Sequence, residues 1–150
     1  GFENVTCSAP QDLILLPCPS TKVLRILRLK LSCSDTTLAA AQMLRLRCRR
    51  ATATVTPGTG GTTAATPTPL VLGDSASSIS TAGANNTSKA TTSGAFTTIW
   101  QETIHLYTAL NERLDRPFEI APSNAFIFEL LSSPSGTVNL TGTVEYEEIG

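Results

Sequence analysis

MLRLRCRR, Met43 to Arg50, sets Leu44, Leu46 and Cys48 at alternate positions and Arg45, Arg47 and Arg49 between them. A period of two puts one set on each side of an extended chain, so this is a strand with one apolar and one basic face. The basic face poses the question of where its charge is answered, because the whole chain of 150 residues carries a formal net charge of only -1. Eight of the eleven basic residues fall between positions 22 and 50, and eight of the twelve acids between 102 and 148. Charge is therefore segregated along the chain and balanced in total. Opposed charges across an antiparallel pair contribute about 0.2–1 kcal/mol each, whereas unanswered arginine rows repel. The expected arrangement pairs the basic N-terminal strands with acidic C-terminal ones, with Glu145 and Glu147 as partners for the face of Arg45, Arg47 and Arg49. Two other readings are a nucleic-acid surface and a contact with an acidic protein. A pI near 5.8 and the lack of aromatic residues among the arginines weigh against nucleic acid.

The same alternation recurs along the chain. VLRILRLKLSC, Val23 to Cys33, sets Leu27, Leu29, Leu31 and Cys33 against Arg28, Lys30 and Ser32. Downstream come IWQETIHLY from Ile99, FEIA from Phe118, AFIFELL from Ala125 and TVNLTGTVEYEE from Thr137, with an early strand at Asp12 to Leu16. Pro117, Pro122, Asn111 and SSPSG punctuate them as turns and strand ends. SDTTLAAAQ, Ser34 to Gln42, reads as a polar connection with a helical turn. About seven or eight short strands without a long helix predict an all-β fold, an antiparallel β-sandwich or barrel in a single domain spanning 1–150.

One stretch breaks the rhythm. Residues 51–95 are mostly Thr, Ala, Gly, Ser and Pro, with Asp74 and Lys89 as their only charges. Ordering backbone costs about 1–2 kcal/mol per residue, so an arm this poor in apolar groups is expected to lie against the domain or against neighbouring subunits. Its one strong apolar run, Pro69, Leu70, Val71 and Leu72, is the expected anchor and partner contact. Charged residues are 15% of the chain, against roughly 25% in ordinary soluble domains, which suits a surface covered in an assembly. The N-terminal segment 1–19 is a second expected contact element.

No catalytic, cofactor or metal constellation emerges, and the expectation is a protein that is not an enzyme and takes no small-molecule substrate. His105 is the only histidine, and on a strand it faces away from Glu102, three residues earlier. No GxSxG elbow supports a serine triad, and GTGG at Gly58 to Gly61 lacks the GK[ST] ending of a phosphate loop. Glu145, Glu147 and Glu148 read as a solvated or paired edge, and Trp100 and Tyr107 as packing residues before a sugar platform. The four cysteines, Cys7, Cys18, Cys33 and Cys48, contain no CxxC spacing and are expected as free thiols, Cys33 and Cys48 packing as small hydrophobes. No apolar run approaches the ~18–20 residues of a membrane helix, and the N-terminus lacks the basic and apolar pattern of a leader.

The C-terminal third carries a recognisable order: Trp100 in a strand, Arg116-Pro117, Ile120-Ala121-Pro122, the apolar strand Ala125 to Leu131, Ser133-Pro134, and a last strand, Val144 to Glu148, that closes in Glu-Glu. With TPLVLGDSAS in the arm, this resembles the jelly-roll head-decoration, or cement, proteins of tailed bacteriophages, closely over about the last 50 residues and in pattern elsewhere. The resemblance implies a jelly-roll-like sandwich with an extended arm. It further implies a homotrimer assembled in the bacterial host cytoplasm, sitting on the outer capsid surface of the virion and bridging subunits of the major capsid protein. It implies no nucleic-acid or membrane partner. The four cysteines and the dense arginine strand depart from the pattern. A carbohydrate- or receptor-binding jelly roll of a phage tail and a DNA-contacting head protein are the alternatives.

Overall fold

The computed structural model describes residues 1–35, 40–63, 67–79 and 82–150, with the side chains of 62–63 left aside. The helical turn expected between Ser34 and Gln42 falls on residues 36–39, outside the described residues. Among those described, eight long strands carry the fold: β1 (Phe2–Cys7), β2 (Gln11–Pro17), β3 (Val23–Cys33), β4 (Met43–Ala51), β9 (Phe96–His105), β10 (Leu110–Ile120), β11 (Ala125–Leu130) and β12 (Val138–Ile149). Four short ones, β5 (Val55–Thr56), β6 (Thr62–Thr63), β7 (Gly83–Asn86) and β8 (Thr91–Thr92), lie in the arm between β4 and β9.

The long strands pair as a ribbon folded back on itself: β4 with β9, β3 with β10, β2 with β11 and β1 with β12, all antiparallel. Successive rungs of the ribbon alternate between two sheets, giving the orders β1-β12-β3-β10 and β2-β11-β4-β9. A ribbon rolled in this way is a jelly roll. The arm is the insertion at the ribbon's closed end.

Alternation of side chains fills the space between the sheets. Leu44, Leu46 and Cys48 of β4 meet Phe126, Phe128 and Leu130 of β11 from the same sheet and Leu24, Ile26, Leu29 and Leu31 of β3 from the opposite one, all buried in one cluster. Leu27, expected inward, is the exception. Both neighbours of β3 slip register there, Ile26 and Arg28 pairing with Tyr146 and Glu145 on one side and with Phe118 and Arg113 on the other. Leu27 is thus the extra residue of a β-bulge, and the inward phase jumps from Leu24 and Ile26 to Leu29 and Leu31. Opposite it β10 loops out over Leu114 to Pro117, where proline's missing N–H suits a break in the ladder. Gly142 of β12 has a packing role, since a Cβ there would stand 2.7 Å from the Phe2 ring.

The arm packs on its own domain more than its composition announces. β7 is buried throughout and adds to the edge of β2, with β6 outside it. The antiparallel β5–β8 pair and the residues after β8 fold over the outer face of the β2-β11-β4 sheet. Backbone ladders and a few small side chains thus supply the ordering energy that the composition lacks.

None of the four cysteines forms a disulfide. Burial pushes the Cys7 thiol up to about 11, and burial, then the Glu129 charge, raises Cys48 well above its ordinary value. Only Cys33 is half-exposed; burial raises it too, with a hydrogen bond from the Asp35 backbone acting against this and the Asp35 carboxylate adding to it. A thiol reagent at neutral pH is therefore expected to label Cys33 first and slowly, and Cys7, Cys18 and Cys48 only on unfolding, read by mass spectrometry of the labelled peptides.

Candidate functional site

Three features of the arm define the region that sets this chain apart from a plain sandwich: a charged seat, a strap and an exposed tip.

The seat is on the outer face of the second sheet. Glu129 of β11 stands in register with Arg47 of β4 on one side and Asp12 of β2 on the other. Its neighbours Phe128 and Leu130 point into the core, so the carboxylate points out. It is nevertheless 0% exposed, as is Asp12, because residues 88–96 of the arm cross above it. Arg47 Nε bonds Glu129 Oε1, Arg49 Nη2 lies 2.8 Å from Oε2, and Lys89 of the arm approaches Oε2 at 3.4 Å. The Ala90 N–H donates to Asp12 Oδ2 at 2.6 Å, while Arg49 Nη2 lies 3.7 Å from Oδ1 and its guanidinium sits 4.2 Å from the Phe96 ring centroid. The Arg49 contacts are ionic in character, since its Nε and Nη2 make no aligned hydrogen bond among the described residues. Burial raises the Asp12 carboxyl above its usual range, as does the neighbouring Glu129; the Ala90 N–H, Arg49 and Lys89 act the other way. Beside the charges, Leu15, Ile127 and Ala90 close a second apolar cluster with Val55 and Phe96.

This corrects the expected pairing. Arg47 and Arg49 are answered by Glu129 and Asp12, and Glu145 and Glu147 serve β3: Lys30 lies 2.5 Å from Glu145, Arg28 3.9 Å from it, and Arg25 3.4 Å from Glu147 and 2.9 Å from Glu119. The reason is topological. β12 flanks β3 in one sheet while β4 flanks β11 in the other, so Glu145 and Glu147 cannot reach the β4 face. Basic N-terminal strands do meet acidic C-terminal ones, one strand over from the pairing expected. Arg45 and Arg50 are exposed.

The strap, residues 67–79, crosses between the edge of β2–β7 and the end of β12. Its lower end is clamped. Ser77 Oγ donates to Glu148 Oε1 at 2.5 Å, and the Ser78 N–H reaches both Glu148 oxygens at 3.0 Å. With its one proton committed, the Ser77 oxygen accepts from Tyr146 OH at 2.8 Å and from the Ile79 N–H at 3.1 Å. Ile79, 2% exposed, enters the main core, and this lone aliphatic in SSIS anchors the strap. Partial burial alone would raise the Glu148 carboxyl, but bonds from Ser77 and Ser78 and the charge of Lys22 bring it below the ordinary glutamate value. A lowered folded-state pKa means that the clamp is fully formed above the unfolded value and is lost as pH falls through the folded one. Hydrogen-exchange protection at the Ser78 and Ile79 amides is expected to drop in that acid range, and to drop at neutral pH in Glu148→Gln.

The tip is exposed. Leu70, Val71 and Leu72 are 79%, 61% and 104% exposed. Asp74 N–H bonds Val71 O at 3.2 Å across Gly73, whose φ of +99° a turn of this kind asks of its third residue. The turn throws Leu72 outward. Among the described residues, Pro69 to Leu72 is therefore exposed and not packed as an anchor. Below the strap lies a cavity of about 720 Å³, walled by Ile14, Leu16, Leu27, Val144 and Tyr146 and edged by Leu70 and Val71.

Of the remaining candidates, Trp100 packs against the core while Tyr107 is exposed. Trp100 leans on Phe128, ring centroids 6.4 Å apart, as part of the core. His105 ends β9 and accepts the Tyr107 N–H at 3.3 Å through Nδ1, its ring 5.5 Å from that of Tyr107. Among the described residues no three His, Cys, Asp or Glu side chains gather as a metal site would require, and no helix is long and apolar enough to cross a membrane. Comparison of the chain with protein-family models, with curated proteins and with solved structures gave no match.

Proposed function

We propose that this chain is a structural, non-enzymatic virion protein, a homotrimer that decorates the outer surface of a tailed-phage capsid and cements it by bridging subunits of the major capsid protein. The observation that carries this reading is the tip. Three consecutive aliphatic side chains held out to water by a formed turn are what an isolated domain avoids and an assembled one uses. The sequence pattern of the last 50 residues and the jelly-roll strand order support the same reading, and the weakly charged Thr- and Ala-rich surface suits close packing with other chains. Symmetry makes a modest contact sufficient, because three linked copies engage a shell together.

Co-sedimentation tests it. Purified chain added to capsid shells of its phage should saturate at a fixed ratio to the major capsid protein and raise the temperature at which the shells rupture. Shells that bind none, or that bind without gaining stability, would overturn the cementing role.

A further inference from the structure

The arm is fastened at two separate points, one on each side of β7. Ahead of β7 the strap is held by the Glu148 clamp, and behind it residues 88–96 close over Asp12 and Glu129. Thr63 of β6 stands opposite Gly83 of β7, and β7 is laddered to β2. Both ends of the stretch that carries the strap are thus rooted in one strand pair, and lifting the strap breaks neither the sheet nor the seat.

The two fastenings hold their carboxylates differently. Glu148 accepts the Ser77 hydroxyl on one oxygen and the Ser78 N–H on both. Lys22 is the cation acting on it, Tyr146 stands behind Ser77, and the Cys18 thiol is close enough to feel its charge. Hydrogen bonds to the charged form favour that form, so a proton on Glu148 costs the clamp. Asp12 is held with less. It accepts the Ala90 N–H on Oδ2, while Oδ1 is buried without a hydrogen bond among the described residues. Glu129 stands beside it in register, and Arg47, Arg49 and Lys89 converge on Glu129. Of these cations Arg49 also approaches Asp12, at 3.7 Å. Two buried carboxylates in one site disfavour each other's ionisation, and the less supported one takes the first proton.

We infer that mild acid unfastens the strap alone: the clamp at Glu148 lets go while the seat over Asp12 stays shut, so the arm carries a pH-sensitive catch beneath its exposed tip. Linkage gives the two ends opposite signs. The lowered Glu148 value makes the clamp complete above its open-state value and lost as pH falls through the closed-state one. Asp12 is raised, by burial first and by the Glu129 charge after it, against the Ala90 N–H, Arg49 and Lys89. Its contribution to closure is therefore present below the open-state value and lost as pH rises through the closed-state one. Acid favours one fastening as it undoes the other. Ile79 leaves the core with the strap, and Leu70 to Leu72 lose their fixed position. The catch stands apart from the virion reading.

Hydrogen exchange in the full chain, read amide by amide by NMR and corrected for the intrinsic effect of pH, tests it. Protection at Ser78 and Ile79 should fall by up to about tenfold per pH unit between the open-state and closed-state Glu148 values, while protection at Ala90 does not fall. In Glu148→Gln the strap amides should be weakly protected at every pH with Ala90 unaffected, and in Asp12→Asn they should keep their acid loss. Ser78, Ile79 and Ala90 losing protection together, with one midpoint, would show that the arm opens as a unit and overturn the inference. Strap amides that hold their protection in acid, or a Glu148→Gln chain that loses protection at Ala90 as well, would overturn it too.

Discussion

Glu129→Gln is expected to lower the stability of the folded chain by about 3–5 kcal/mol, the usual loss when one partner of a buried ion pair is removed. The substitution keeps the shape and takes away the charge that holds Arg47, Arg49 and Lys89 over a face closed by the arm. What remains is surplus positive charge with little solvent, beside an Asp12 carboxylate too distant from Arg47 to compensate. Against a total stability of ~5–15 kcal/mol for a domain of this kind, this is a large share. Urea unfolding would read it as a fall in midpoint with little change of slope. The double change Glu129→Leu with Arg47→Met should recover only a small part of the loss, since it removes one of the three cations left without the Glu129 charge while Arg49 and Lys89 remain. A loss under about 1 kcal/mol for Glu129→Gln would mean that the arm does not seal the face and that water reaches the carboxylate.

The second large effect separates binding from stability. Leu70→Asp with Leu72→Asp should leave the unfolding midpoint within about 0.5 kcal/mol, because both side chains already face water. Shell binding should fall steeply. Burying an aliphatic side chain is worth about 1.5–3 kcal/mol, so losing two weakens each contact by roughly 10²–10⁴-fold, before the loss of multivalency. Retained shell binding at full occupancy would show that the exposed tip is not a contact element. Removing the whole arm is a poorer experiment than its composition suggests. Without residues 83–96 the edge of β2 opens and Leu15, Ile127, Asp12 and Glu129 meet water, so a folding defect would be confused with a binding defect.

Alternation in β3, β4, β9 and β12 was enough to read the strands, the all-β class and, in β4, which residues face inward, because side-chain period is a local property. Partner choice was not legible in the same way. Arg47 reads equally well opposite Glu129 or opposite Glu145 until the roll of the ribbon places β11 and not β12 beside β4. One signal was present in the residues. QDLILL and AFIFELL are apolar runs that each contain a single acid, Asp12 and Glu129, and an acid inside a strand buried on both faces needs a cation from the next strand. The bulge at Leu27 left no mark in VLRILRLKLSC, since it is a matter of register against β10 and β12, both far along the chain. The arm was read as a unit from its composition, but its seat was hidden, because β7 attaches through backbone and small side chains and Ile79 is a single apolar residue among serines. The tip showed itself as the run Pro69 to Leu72, while the cavity beneath it, assembled from β2, β3 and β12, has no sequence signature.

The most direct measurement is the number of copies of this chain in intact particles. Phage banded on a density gradient and quantified by mass spectrometry should carry this chain at a copy number comparable to that of the major capsid protein. A few copies per particle would place it on the tail, and none would contradict the decoration role altogether.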